Sequence, residues 1–188
     1  MEKITYGTRE ITATVAGIVV LVLVQWLEMN LIKAGILPKE TGSWVQFYVA
    51  VVAVVAVFFG PISGTLCGLG GTILLNAASG PHISYPNVFS LGLYGLFIGL
   101  YYSLYHFKRR RFTPADFVDF NAVSVISGII CMMFFVPLVS FLVEDMSIFD
   151  TITVGAKAVI GNSILVGIIC PVIMAIVAFA ENRKRDRV

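Results

Sequence analysis

The sequence predicts an all-α integral membrane protein, a six-transmembrane-helix bundle with both termini in the cytoplasm. Three observations predict it. Hydrophobic residues make up 58% and charged residues 13% of the 188, too little polar surface to cover a soluble globule. The apolar residues fall into runs close to the roughly 20 residues a helix needs to cross a bilayer. The basic residues gather at the ends of those runs on one side, the side the positive-inside rule assigns to the cytoplasm.

Six spans are expected, at about 11–35, 44–59, 62–79, 87–107, 118–143 and 152–180. The first carries two small-xxx-small pairs, Ala13–Gly17 and Thr12–Ala16, suited to contact with another helix of this chain or of a partner. Its outer end holds Gln25, Trp26, Glu28 and Asn30. Only Gly60-Pro61 separates the second and third spans, and a proline suits the first position of a helix after a tight turn. Gly60, Gly64 and Gly68 then recur every four residues, so one face of the third span admits a close backbone neighbour. That span ends in Asn76 and Ser79, with His82 just beyond.

The charges set the orientation. Lys3 and Arg9 precede the first span, Lys108 to Arg111 follow the fourth, and Arg183, Lys184, Arg185 and Arg187 follow the sixth. With an even number of spans these segments share the inner face, while the outer face has Lys33 and Lys39 beside the acids Glu40, Glu144, Asp145 and Asp150. The net charge of +2 comes from the inner ends and points to anionic lipid, not nucleic acid. The first apolar segment carries Gln25 and Glu28 without a small-residue cleavage site, unlike a signal peptide. No linker or low-complexity tract divides the chain, so 1–188 reads as one domain.

Several chemistries lack their residues. Gly68-Leu69-Gly70-Gly71-Thr72 has no following Lys and lies inside a span, so it is no phosphate-binding loop. Ser63 has no deep histidine to serve as its base, because His82 lies in an outer loop and His106 ends the fourth span. No acids pair at helical spacing within a span, and Cys67, Cys131 and Cys170 are isolated, so no metal site or cofactor is expected. An enzyme is therefore not expected. A channel would need a polar path through the inner half, and a self-sufficient carrier repeated halves; neither pattern is present.

The polar residues instead concentrate at one mouth, which points to a pocket for a small molecule. Glu28 either snorkels to water or meets a ligand. Lys157 lies ~9 Å below the outer surface by helix rise and needs a partner: Glu28, Asp150 or a ligand oxygen. Asn162, ~16 Å in, must hydrogen-bond a neighbouring helix or a ligand. The loop Gly80-Pro81-His82-Ile83-Ser84-Tyr85-Pro86-Asn87 is stiff and could cover a planar ring; 36–48, with Trp44, Gln46 and Tyr48, forms a second flap, and Tyr94 extends the wall. The candidate binding residues are Gln25, Glu28, Trp44, Tyr48, Asn76 and His82, with Tyr85, Asn87, Tyr94, Lys157 and Asn162.

The chain resembles the substrate-binding S components of energy-coupling factor (ECF) vitamin transporters, in particular the riboflavin, hydroxymethylpyrimidine and pyridoxine subfamily. Phe59-Gly60-Pro61 with Gly64, Gly68 and Gly71, Phe120-Asn121, and Ala158 to Asn162 carry the match. The resemblance implies a subunit of the bacterial plasma membrane that captures a vitamin under loops 1, 3 and 5. It then delivers the vitamin with a transmembrane T component and two cytoplasmic ATPases. Ala13 and Gly17 are similar to the family's AxxxA pattern, which implies that they meet the T component. Aromatic and amide groups at the mouth favour pyridoxine or hydroxymethylpyrimidine; an inward, unpaired Lys157 would favour a carboxylate such as pantothenate. Riboflavin and a scaffold without a ligand of its own are the other readings.

Overall fold

The computed structural model describes residues 7–38, 44–79, 84–106 and 114–185. Among these every regular element is helical: α1 (Thr8–Lys33), α2 (Phe47–Ser79), α3 (Tyr85–Tyr101), α4 (Pro114–Gly128), α5 (Val136–Glu144) and α6 (Ile148–Arg185). Two π-helical segments extend them, Tyr102–His106 after α3 and Ile129–Phe135 between α4 and α5. The second makes α4 and α5 one rod. Pro137 has no N–H to give the carbonyl four residues back, and the preceding Val136 N–H reaches Cys131 O instead, the wider π spacing.

Among the described residues five helices, not six, are long and apolar enough to cross a membrane, because the expected second and third spans form the single element α2. Its 33 residues are not one straight rod. Gly60 interrupts it at φ 87°, a backbone region open to glycine, and Pro61 starts the next arm. A Cβ built on Gly64 would lie 2.6 Å from the Ala56 Cβ, whereas eight residues of straight helix would separate them by about 12 Å. The chain therefore folds back on itself at Gly60, leaving arms at 47–59 and 61–79.

Helix α3 packs most extensively on α2, and α1 covers the other side of α2. The glycine rows permit the first contact: a Cβ on Gly68 would meet the Leu91 carbonyl oxygen at 2.5 Å, and one on Gly64 the Gly95 oxygen at 2.9 Å. Leu21, Val49, Val52, Ala53, Cys67, Ile98, Phe120 and Val166 fill the core. Cys131 and Cys170 join it, so all three cysteines are buried free thiols. Long apolar side chains such as Val15, Leu23, Phe134, Ile164 and Ile168 face outward, a surface suited to lipid.

The two ends of the bundle differ. Arg9 lies 5.6 Å over the Phe59 ring, and Gly60 faces Ser103, so the start of α1, the α2 turn and the end of α3 meet at one end. The starts of α2, α3 and α6 lie at the other.

Candidate functional site

A cavity of about 280 Å³ opens among the starts of α2, α3 and α6 and the α4–α5 rod. Gln46, just before α2, and Tyr48 in its first turn line one side; Ser84, just before α3, and Pro86, Asn87 and Ser90 within it line another. The rod contributes Met132 from its π segment, then Val136, Ser140 and Glu144. Met146, Asp150, Thr151, Val154, Gly155 and Ala158 close the circle. The spacing of the α6 residues, at intervals of three and four, puts them on one helical face.

Local backbone chemistry places these groups. Pro86 occupies the first turn of α3, where its missing N–H costs nothing. Asp145, in the left-handed conformation at φ 51°, ends α5, and the Met146 N–H reaches back to the Ser140 carbonyl at 3.3 Å. This turns the chain sharply from Glu144 into α6. Thr151 donates its hydroxyl to the Ser147 carbonyl at 2.8 Å and so braces the first turn of α6. Gly155 presses against the Met132 carbonyl, and any larger residue would push α6 off the π segment that carries Met132.

Of the residues expected from sequence, Tyr48 and Asn87 line the cavity. Asn162 lies behind its wall, 4% exposed, and bonds Gln46: its Oδ1 accepts the Gln46 backbone N–H at 2.7 Å. Its Nδ2 donates to Gln46 Oε1 at 3.3 Å and to Met132 Sδ at 3.6 Å. Asn162 thus positions two lining residues. Lys157 is exposed, its ammonium 5.6 Å over the Trp44 ring, and does not line the cavity; Trp44 is half-exposed. Tyr94 is a core residue, its hydroxyl 2.6 Å from Ser124 Oγ. Tyr85 is exposed beside the mouth.

Three further expected residues, Gln25, Glu28 and Asn76, do not line the cavity. Glu28 is buried and hydrogen-bonded by the Phe47 backbone, while its Oε2, the Gln25 Oε1 and the Asn76 Nδ2 are buried without partners among the described residues. His82 falls outside the described residues.

Gly17 is an internal contact: a Cβ there would meet Val55 Cγ2 at 2.8 Å and Cys67 Sγ at 2.9 Å. This packing is the same-chain helix contact, one of the two readings of the small-residue pair, for its neighbours belong to α2. Ala13 is half-buried, whereas Thr12 and Ala16 are exposed.

Sequence reasoning passed over Ser90, Ser140 and Thr151 because single hydroxyls in apolar helices are ordinary. Their one signal is position, each within a few turns of the outer helix ends.

Residues 8–179 match the family model described as ECF-type riboflavin transporter, S component. Among curated proteins the chain is 24% identical over 189 aligned positions to a UPF0397 protein of Streptococcus gordonii, covering 99% of this chain and 97% of that one. It is 26% identical to UPF0397 proteins of Lacticaseibacillus casei and Enterococcus faecalis, each over 70% of this chain, and over 70% and 72% of theirs. No solved structure matches the chain.

Proposed function

The chain belongs to the S-component family of ECF-type riboflavin transporters and is a multi-pass protein of the bacterial plasma membrane; from that premise we propose that it captures a small water-soluble vitamin in the cavity between α2, α3 and α6. A separate transmembrane T component and two cytoplasmic ATPases would then energise release inward. The two arms of α2 would cross separately, giving six crossings. Arg9 lies at the end remote from the cavity; the basic segment 108–111 follows in sequence a helix that runs toward that end, and 183–187 begins within the last turn of α6, which runs the same way. This arrangement supports cytoplasmic termini and a cavity open to the outside.

The cavity itself carries the reading: a mainly apolar recess holding a few polar side chains, at one end of an apolar bundle, is what a capture subunit needs. Its volume of about 280 Å³ sits just under the range of pockets for drug-sized ligands. That size suits a single-ring compound, pyridoxine or hydroxymethylpyrimidine, better than a tricyclic one. Riboflavin is the second reading, favoured by the description of the matched family. Pantothenate loses support, because Lys157 does not line the cavity.

Intrinsic fluorescence of the purified chain, titrated with these four compounds, tests the proposal. Trp44 stands two residues from Gln46 in the cavity wall and should report occupancy. A saturable change with one compound is expected. A flat response from folded protein would favour the scaffold reading.

A further inference from the structure

The cavity is electrostatically one-sided. Glu144 and Asp150 are its charged lining residues, and no Lys, Arg or His among the described residues joins them. Neither carboxylate has an ion-pair partner among the described residues. The nearest cation along α6, Lys157, lies over the Trp44 ring and does not line the cavity.

Helix ends modify this field without reversing it. Helices α2, α3 and α6 begin at the cavity and α5 ends there. Each such end is worth on the order of half a unit charge, positive at N-termini and negative at C-termini. Three positive ends, set against one negative end and two full carboxylate charges, leave the recess negative.

Behind the acids the wall holds hydroxyls with nothing to bond. Ser90 and Ser140 are each 3% exposed, both line the cavity, and neither side chain has a hydrogen-bond partner among the described residues. The Ser140 carbonyl is already engaged by the chain turn after α5, so the hydroxyl is the group left for a ligand. Both hydroxyls therefore keep their donor and acceptor capacity for a molecule in the recess.

We propose that this cavity takes a ligand bearing a positive charge, an amine-substituted or ring-cationic heterocycle, with Glu144 and Asp150 receiving the charge at the mouth and Ser90 and Ser140 bonding its polar substituents below. This rests on the capture reading above and narrows its substrate class. Coulomb attraction at the mouth would raise the local concentration of a cation, and the hydroxyls, which both donate and accept, would fix the ring's orientation.

The test is calorimetric titration of the full-length chain in zwitterionic nanodiscs. Pyridoxamine and pyridoxine form a matched pair that differs by an amine in place of a hydroxyl. Thiamine supplies a ring cation, riboflavin a neutral ring system and pantothenate an anion. A cationic probe should bind at least about tenfold more tightly than its neutral or anionic counterparts, and E144Q and D150N should each weaken it by about tenfold. Both acids are exposed, so the melting temperature should stay that of the parent chain. Tightest binding by pyridoxine, riboflavin or pantothenate would overturn the charge proposal and leave the capture reading standing. So would cation binding indifferent to both substitutions. Failure of every probe to bind folded protein would overturn the two together.

Discussion

Asn162, in the body of α6, holds Gln46 at the entrance to α2 through two hydrogen bonds, at 2.7 and 3.3 Å, across 116 residues of sequence. Gln46 in turn accepts the Val49 N–H and lines the cavity. A residue at the depth of a ligand contact therefore serves as a clamp between the α6 wall and the flap.

Replacing that clamp should cost both stability and binding. Asn162→Ala strands the half-buried Gln46 N–H, and losing that hydrogen bond costs about 0.5–1.5 kcal/mol. A lower melting temperature in detergent is expected, with weaker vitamin binding through a loosened Gln46. An unchanged melting temperature would show that the clamp is dispensable.

Lys157→Ala should leave affinity within about twofold, since the ammonium lies on Trp44 and outside the cavity. An exposed cation–π contact contributes about 0.5–1 kcal/mol, so only the Trp44 emission should shift. Loss of binding in a titration would place Lys157 in contact with ligand after all.

The glycine face of α2 should tolerate additions unequally. Gly68→Ala drives a methyl into the Leu91 carbonyl and the Gly92 nitrogen, both backbone atoms that cannot turn aside. Overpacking of that kind costs about 1–3 kcal/mol. Gly70→Ala meets the Ile18 Cδ1 at 2.9 Å, the far end of a flexible side chain, and should be nearly silent. Thermal unfolding of the two variants side by side decides it; equal losses would contradict the close α2–α3 contact.

The α1 surface separates folding from partnership. Gly17→Leu should destabilise the chain itself, because Val55 and Cys67 already fill that space. Ala16→Leu, on the exposed face, should leave the melting temperature unchanged yet weaken co-purification with the proposed T component. If Ala16→Leu co-purifies normally, the docking face lies elsewhere.

Much of the fold was legible because bilayer thermodynamics writes it into composition. The apolar runs, the break at Gly60-Pro61 and the four-residue glycine period each follow from a local rule, and each has its structural counterpart. The count of helices differed, since helical residues flank Gly60 closely enough to form one interrupted element. The site was legible by region and less so by residue. Tyr48 and Asn87 line the cavity, whereas Gln25, Glu28 and Asn76 do not, because a polar residue near a helix end marks depth and says nothing of azimuth. The residues of the resemblance, Ala158 to Asn162, divide in the same way. Ala158 lines the cavity, Gly161 lets the Trp44 backbone approach, and Asn162 bonds Gln46.

By itself, then, the sequence determined the solvent this protein folds in, the approximate boundaries of its spans and the end at which its chemistry gathers. Those properties depend on the transfer energies of runs of residues, which are additive along the chain. Only the tertiary structure decided that Lys157 leaves the cavity for Trp44, that Asn162 clamps instead of lining, and that Ser90 and Ser140 come to face the same space. Such outcomes depend on the rotation of each helix about its axis, set by side-chain packing between segments remote in sequence, and a single helix carries no record of its neighbours' faces.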